Sequence, residues 1–451
     1  MSSKPLIVLM ALTPLLVLPG QAFQAAREDT VTNLLLRDEI LQAEILLNSQ
    51  PRTAESVALR GEIEYRRGNF RQADSLYNAA LKMDGKTARA HFGLGKLAMA
   101  RLHSKDAVKS FMRAVELAPS EPLYRLYASE AWSLEKNTAQ QKKQLEEFIR
   151  LKPSDDDRLS EAKAGLEVLQ TFGSAEIAAV DAPEHPAPIE FRKVLNLIFT
   201  SVTINGRGPY NFAIDSGASQ TVLSEKLAAD LGLKPVTTTI MHGVGGAGKV
   251  DSRIYRIDTL GLGDLSIRNL PAGTFNDPLV MRVADGIIGT ATLSDFVITV
   301  NYPASRMEFA RKLPPSRDEE KIPAWYFYNL LLVTMDVNGH PGNFVVDTGA
   351  VTTVLSHGMA KTLGVDENDP GAKIDMDIAG VGGLEGSILR ASNVTLKLRN
   401  RSELFPQIVA IDLKQISKMI GTEVSGVLGY DFLGDYALTL DYQGAQILLR
   451  K

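Results

Sequence analysis

The sequence predicts a chain of two parts, an all-α region of helical-hairpin repeats followed by an all-β region built as two similar lobes. Residues 30–172 are rich in Ala, Leu, Glu, Arg and Lys, which favour helices, and they carry a regular internal period. After residue 190, short alternating runs are separated by Gly, Asn, Asp and Pro, as in antiparallel strands. Within this second part, nearly the same twelve-residue phrase occurs at 213–224 and at 345–356.

The composition limits the classes of function. With 451 residues, of which 45% are hydrophobic and 23% charged, the chain can form several domains with sizeable cores. A net charge of −4 gives no sign of a nucleic-acid partner, which would favour a basic surface. The absence of cysteine excludes disulfides and thiol nucleophiles. The six histidines never lie four residues apart or in an H-E-x-x-H motif, so no metal site is expected.

The N-terminus predicts export. Lys4 precedes the apolar run "PLIVLMALTPLLVL", and the small residues Gly20 and Ala22 follow it. Because this run is short for a membrane span and contains proline, residues 1–22 are expected to be a secretory signal peptide. An uncleaved N-terminal anchor is the alternative, and membrane contact is expected only in that case. The expected location is secreted or periplasmic.

The helical region shows internal repetition. Gly85, Pro119 and Pro153 are evenly spaced along the chain, each after a helical segment, and their spacing is that of a helix–turn–helix repeat. Residues of the repeat pattern recur as Gly68, Ala73, Tyr77 and Ala80, and as Leu94, Gly95, Ala107, Phe111 and Ala114. The small residues among them let two helices approach, and the aromatic residues fill the space between hairpins. This pattern resembles the tetratricopeptide repeat family, whose stacks usually bind peptides or partner proteins. The resemblance implies a region that recruits a substrate or partner protein, and a plain helical bundle is the alternative.

The β-rich region divides into two halves that correspond element by element. A Pro- and Ala-rich linker at 173–189 precedes lobe 1 (190–312), and a Pro- and charge-rich connection at 313–323 precedes lobe 2 (324–451). "LIFTSVTING" corresponds to "LLLVTMDVNG", "NFAIDSGASQTVLS" to "NFVVDTGAVTTVLS", and "DGIIGTATLSDFVITVNY" to "SGVLGYDFLGDYALTLDY". Because the order is kept throughout, the pattern indicates duplication of one fold.

The repeated phrase contains an aspartate that can take part in acid–base catalysis. In each copy an apolar strand leads to an aspartate, Asp215 or Asp347, and a glycine follows two residues later at a tight turn. Duplicated halves can bring equivalent residues together across a pseudo-twofold axis. Two carboxylates about 3 Å apart cannot both ionise easily and share one proton. The charged member can then take a proton from water while the protonated member donates to the carbonyl of the bond under attack.

"DSGASQTVL" and "DTGAVTTVL" resemble the active-site phrase of aspartic proteases, specifically the retroviral, or retropepsin, type. A second family element, an apolar pair followed by Gly, is matched by residues 287–289 and 427–429. The resemblance implies a bilobal acid-protease fold that acts on a protein or peptide substrate. By the same resemblance, Asp215 and Asp347 would be the catalytic pair, and the active-site turns would contain Ser216, Gly217, Thr348 and Gly349.

Glycine clusters between these elements are placed where the family has a mobile β-hairpin flap. The flap residues implied by the resemblance are Gly243, Gly245 and Gly246 in lobe 1, and Gly380, Gly382 and Gly383 in lobe 2. The first cluster also reads G-x-G-x-x-G, but a strand-like run rather than a helix follows it, so no nucleotide or other cofactor is expected. The adjacent His242 is expected to be a solvated loop residue.

The sequence therefore predicts an aspartic endopeptidase with an N-terminal repeat region. The alternative from another class is a non-catalytic module that keeps the acid-protease fold and binds a peptide or protein in its cleft. A third possibility keeps the chemistry but pairs each lobe with a lobe of another chain.

Overall fold

The structure is a computed structural model that describes residues 30–35, 37, 39–243, 249–275, 283–317, 320–374, 378–380 and 383–451. The predicted fold class is confirmed, because helical hairpins are followed by two β-rich lobes. The predicted signal peptide, residues 1–22, lies outside the described residues, as do the flap glycines Gly245, Gly246 and Gly382. No helix in the described ranges is long and apolar enough to cross a membrane.

The helical region is a stack of hairpins with the predicted period. Its helices are α1 Ile40–Asn48, α2 Ala54–Arg66, α3 Phe70–Met83, α4 Ala88–Ala100, α5 Ser104–Leu117, α6 Pro122–Leu134, α7 Thr138–Arg150 and α8 Asp156–Phe172. The first helix of each successive hairpin begins at residue 54, 88 or 122, and α8 begins at 156, so the starts are evenly spaced. The region is thus built as tetratricopeptide-like repeats, including a third unit that begins at residue 122.

Small residues set the close packing of these helices. A Cβ added to Gly95 in α4 would lie 2.6 Å from the ring of Phe111 in α5, so only glycine fits beneath this buried ring. The start of α2 is fixed by a capping box, in which Thr53 accepts from the backbone of Ser56 and Ser56 accepts from the backbone of Thr53. These local features explain why the period in the sequence becomes a regular stack.

Lobe 1 is built on a nine-stranded sheet in the order β1-β9-β6-β10-β5-β4-β8-β7, with β3 paired to β4 and β8 also paired to β9. Its elements are β1 Ala179–Asp181, β2 Ile189–Glu190, β3 Arg192–Val194, β4 Leu197–Ile204, β5 Arg207–Asp215, β6 Val222–Ser224, α9 Glu225–Asp230, β7 Pro235–His242, β8 Lys249–Leu262, β9 Leu265–Phe275, β10 Gly286–Gly289, β11 Val297–Asn301 and β12 Arg306–Ala310. Strands β2, β11 and β12 belong to a second sheet, which the two lobes share.

Lobe 2 repeats this plan. Its elements are β13 Lys321–Phe327, β14 Leu330–Val337, β15 His340–Val346, β16 Val354–Ser356, α10 His357–Thr362, β17 Lys373–Ile374, β18 Ile378–Gly380, β19 Gly383–Glu385, β20 Ile388–Leu398, β21 Arg401–Ile411, α11 Lys414–Ile420, β22 Gly426–Leu428, α12 Tyr430–Leu433, β23 Ala437–Asp441 and β24 Gln446–Arg450. The sequence predicted a linker at 173–189 and a connection at 313–323. The first of these contains β1, which pairs with β9, and β13 begins within the second.

A sheet shared by the lobes holds them together. Where the lobes meet, the strands of this thirteen-stranded sheet run in the order β13-β24-β23-β11-β12-β2, with β11 and β12 from lobe 1 and β23 and β24 from lobe 2. At its centre β11 pairs antiparallel with β23, and Thr299 lies opposite the equivalent Thr439, their hydroxyl oxygens 2.9 Å apart. The pseudo-twofold axis implied by the duplicated sequence passes between these two threonines.

The helical region packs closely against lobe 2. The ring of Phe70, at the start of α3, lies 4.4 Å from that of Trp325 and 5.7 Å from that of Phe327, both on β13. Tyr65 of α2 packs edge-on against Phe327 at 6.4 Å. The hydroxyl of Thr422 donates to the carbonyl of Tyr65 at 2.8 Å. The two regions therefore share a mixed apolar and hydrogen-bonded interface.

Candidate active site

Asp215 and Asp347 occupy equivalent places in the two lobes. Asp215 ends β5, and the apolar-Gly strand β10 lies parallel to it, with Gly289 opposite Asp215. Asp347 follows β15 directly, and the equivalent strand β22 runs parallel to β15. The sequence folds this way because the two apolar residues before each aspartate are buried in a strand of the lobe core.

The two turns bring the aspartates face to face. The backbone N–H of Gly217 donates to Asp215 Oδ1 at 2.7 Å, and that of Gly349 donates to Asp347 Oδ1 at 2.7 Å. A Cβ on Gly217 would lie 2.5 Å from Cγ of Asp347, and one on Gly349 would lie 2.4 Å from Cγ of Asp215. Each glycine is therefore required because the carboxyl group of the opposite lobe lies directly against it.

The hydroxyl residues next to the aspartates join the two turns. Ser216 Oγ accepts from the backbone N–H of Thr348 at 2.9 Å and donates to the carbonyl of Val346 at 2.8 Å. Thr348 Oγ1 accepts from the N–H of Ser216 at 3.0 Å and donates to the carbonyl of Ile214 at 3.1 Å. Both side chains are buried, and this reciprocal set fixes the relative position of the two aspartates.

The surroundings of the pair disfavour two negative charges. Burial raises the pKa of Asp215, although donation from Asp347 and from the N–H groups of Gly217 and Ala218 opposes this. Burial and the neighbouring charge of Asp215 raise the pKa of Asp347 well above its ordinary value. The two carboxyl groups hydrogen-bond to each other, so the pair keeps one proton at a pH at which isolated aspartates are ionised.

Two tyrosines that the sequence analysis missed lie close to the pair. Burial raises the pKa of Tyr302 and of Tyr442, and the charges of both aspartates add to this effect. The hydroxyl of Tyr442 hydrogen-bonds to that of Thr290, and the ring of Tyr302 packs edge-on against Tyr430 at 5.5 Å. Tyr302 and Tyr442 directly follow β11 and β23, at equivalent positions that the matched phrases "VITVNY" and "ALTLDY" could have suggested.

A further supporting residue is specific to lobe 2. Asp431 accepts from the backbone N–H of Thr353 and from the hydroxyl of Thr352, each at 2.7 Å, and so fixes the loop after Asp347. The equivalent position in lobe 1 is Ala291, and there the hydroxyls of Thr221 and Thr292 meet at 3.0 Å instead. Because Ala291 stands in lobe 1 where lobe 2 has Asp431, comparing the two halves of the sequence gave no indication of this role.

The predicted flaps fall on β-hairpins. In lobe 1, β7 and β8 pair up to His242 and Lys249, with Gly243 following β7. In lobe 2, Gly380 pairs with Gly383 at the end of the β18–β19 hairpin. The expectation that His242 is a solvated loop residue is wrong, because it ends β7 with a side chain that is only 18% exposed and pairs with Glu161 of α8.

A metal ion in a protein needs several ligating side chains close together. In the part of the chain that the structure describes, no three His, Asp or Glu side chains cluster so as to hold an ion.

Comparison with known proteins shows a similarity in each lobe. Residues 200–292 and 333–432 match the family model for aspartyl proteases, with one stretch in each lobe. A search of curated proteins found no match.

Solved structures match the helical region. The Yersinia enterocolitica type III secretion translocator chaperone SycD, in an alternative dimer, is 20% identical, with 28% of this chain and 97% of that chain covered and a TM-score of 0.26. Pseudomonas aeruginosa pilF is 20% identical, with 34% and 69% covered and a TM-score of 0.28. PcrH in complex with the chaperone binding region of PopD is 20% identical, with 26% and 90% covered and a TM-score of 0.25. TM-scores this far below 0.5 carry no weight for the function of this chain.

Each matched stretch of the family model contains one aspartate of the facing pair. The β-rich part of this chain therefore matches the aspartyl protease family model in both of its lobes, which follow a region of tetratricopeptide-like repeats.

Proposed function

We propose that this chain is an aspartic endopeptidase that hydrolyses peptide bonds with a water molecule activated between Asp215 and Asp347. The observation that carries the proposal is the pair of carboxyl groups held face to face, each against the glycine of the opposite lobe. The raised pKa of both groups supports a shared proton, which this reaction requires.

The proposed reaction uses the two protonation states of the pair. The ionised carboxylate accepts a proton from the water as its oxygen attacks the carbonyl carbon of the substrate. The protonated carboxyl donates a hydrogen bond to the carbonyl oxygen, which takes up negative charge as the carbon becomes tetrahedral. Breakdown of this intermediate returns a proton to the leaving amide nitrogen and breaks the C–N bond. We assign no fixed role to either aspartate, because the pair titrates as a unit.

The resemblance predicts that the repeats recruit a substrate or a partner protein, and this role stays a proposal. Tyr65 and Phe70 already pack against lobe 2, so this side of the repeats is covered by the chain itself. We therefore propose that any recruited protein binds another face of the stack. Export to the periplasm or the medium is also a proposal, and it rests on residues 1–22; N-terminal sequencing of the protein recovered from each cell fraction tests it.

The experiment that tests the enzyme is cleavage of a mixture of unfolded proteins by the chain lacking residues 1–22, from acid to neutral pH, with products identified by mass spectrometry. We expect both Asp215→Asn and Asp347→Asn to abolish cleavage, because each removes one acid of the pair. Asp435→Asn, at an exposed position just past α12, is the matched control and should leave activity unchanged. Cleavage that survives in either active-site variant contradicts the shared pair, and a folded but inactive wild type supports the binding module.

A further inference from the structure

The two lobes carry equivalent hairpins that end beside the cleft. In lobe 1 the β3–β4 hairpin turns through Leu195 and Asn196, with φ of 51° and 65°. In lobe 2 the β13–β14 hairpin turns through Tyr328 and Asn329, with φ of 47° and 69°. Both tips are two-residue turns with left-handed backbone at each central position. The hairpins thus share a backbone form, and their surroundings can be compared directly.

The tip of the lobe 2 hairpin is fixed against the active-site loop of lobe 1. The side-chain amide of Asn329 donates to the carbonyl of Ser219 at 2.8 Å, in the loop that follows Asp215. The hydroxyl of Tyr326 donates to the side-chain oxygen of Asn329 and orients it. Tyr328 therefore stands at one end of the cleft, beside this loop.

Charged groups of helices α6 and α8 act on this same tip. Burial raises the pKa of Tyr328, and the charges of Glu130 on α6 and Glu161 on α8 raise it further. The nearby Arg158 of α8 opposes this effect. Next to Tyr328, which is half-buried, Phe327 packs against Tyr65 and Phe70, so the helical region meets this hairpin at the end of the cleft nearest Ser219.

Helix α8 also reaches the roof of the cleft. Glu161 Oε1 lies 3.1 Å from His242 Nε2 at the end of β7, and Asp157 lies 3.1 Å from Lys249 at the start of β8. The two contacts hold both strands of the lobe 1 flap hairpin. Next to His242, Met241 Sδ accepts from the side chain of Gln220 in the active-site loop at 3.8 Å. Helix α8 thus bounds the flap hairpin at this end of the cleft.

The opposite end of the cleft differs at the equivalent positions. Leu195, the counterpart of Tyr328, is 77% exposed, and Val194 is 39% exposed. Val351, the counterpart of Ser219, is 43% exposed. Among the described residues, no hydrogen bond or ion pair joins the helical region to the β3–β4 hairpin. Three apolar side chains at this end are thus left to solvent.

We propose that the cleft is open at one end only, so that the substrate is a flexible chain cleaved a few residues from one of its termini. Helices α6 and α8 close the end beside Ser219 and limit the chain on that side of the scissile bond. Leu195, Val194 and Val351 form the open end and bind apolar side chains on the other side. The proposal rests on the proposed function, whose facing carboxyl groups lie between these two ends.

The test starts from a peptide that the chain lacking residues 1–22 cleaves. In one substrate the N-terminus of this peptide is joined to a small folded protein, and in another substrate its C-terminus is joined to that protein. A closed end cannot admit the folded protein, so we expect kcat/KM to fall at least about a hundredfold for one fusion and less than about threefold for the other. Equal cleavage of both fusions, or loss of both while the free peptide is cleaved, overturns the one-ended cleft. A free peptide that is not cleaved at all is a failure of the proposed function instead.

A pair of variants tests the open end separately. Leu195→Ala should lower kcat/KM about three- to tenfold for peptides with a large apolar residue on the permissive side, and leave peptides with alanine there unchanged. Leu404→Ala is the matched control, since Leu404 lies on β21 and is 59% exposed. Both variants should fold normally because both side chains are exposed. Equal effects of Leu195→Ala on the two kinds of peptide would contradict a substrate contact.

Discussion

The hairpins β3–β4 and β13–β14 have the same turn but different surroundings. Phe327 is 5% exposed beneath the helical region, whereas the equivalent Val194 is 39% exposed. At the centre of the molecule the two lobes agree closely, since each aspartate, glycine and hydroxyl has a counterpart with matching hydrogen bonds. The difference shows that duplicated lobes can keep one symmetrical centre while a third region, docked on one side, makes the ends of the cleft unequal.

The largest expected effect is on stability and concerns the covered hairpin. Phe327→Ala should cost about 3–5 kcal/mol in the free energy of unfolding, because it leaves a cavity among the aromatic rings of the interface. Val194→Ala, at the equivalent exposed position, should change it by less than about 0.5 kcal/mol. Urea unfolding followed by fluorescence measures both. Equal effects of the two substitutions would contradict the asymmetry between the hairpins.

The second prediction tests the symmetry at the centre. Gly217→Ala and Gly349→Ala should each lower kcat at least about a hundredfold, because the added methyl group displaces the opposite carboxyl. Gly165→Ala is the control, since its Cβ would meet no atom nearer than 3.9 Å. Steady-state kinetics on one peptide compare the three variants. If one active-site variant keeps its activity while the other loses it, the two turns are not equivalent.

The smallest effect concerns an acid at the covered end of the cleft. Burial raises the pKa of Glu130 to about 7, with Glu161 adding to this and Arg158 opposing it. The folded state thus holds this proton more tightly than the unfolded chain, whose glutamates titrate with a pKa of about 4.3. The contribution of Glu130 to the free energy of unfolding is therefore greatest below about pH 4.3, the pKa of the unfolded chain, and is lost as the pH rises to about 7.

Glu130→Gln removes this titration and should raise the melting temperature by a few degrees at neutral pH, with a difference that shrinks toward pH 4. Melting curves of the wild type and the variant across this range measure it. Glu116→Gln, whose side chain is 60% exposed, serves as the control. A difference between Glu130→Gln and the wild type that does not depend on pH would show that Glu130 is not held in this way.

The sequence predicted the features that lie in contiguous or periodic segments. The period of the repeats follows from local packing such as that of Gly95 under Phe111, and the facing aspartates follow from a phrase that contains its own turn. The docking of the helices could not be predicted in this way. "VLNL" and "FYNL" read alike at the two hairpin tips, and only contacts between distant segments, such as that of Asn329 with Ser219, distinguish them.

The pairing of β11 with β23 around Thr299 and Thr439 determines whether the two lobes stay together when the protein is diluted. A catalytic centre assembled from two separate chains dissociates when the protein is scarce, because its formation depends on the square of the concentration of free subunits. Here both halves belong to one polypeptide and are joined by a continuous sheet, so the effective concentration of one half around the other is set by the chain itself. The number of complete centres therefore rises in simple proportion to the number of molecules, even where each molecule is alone.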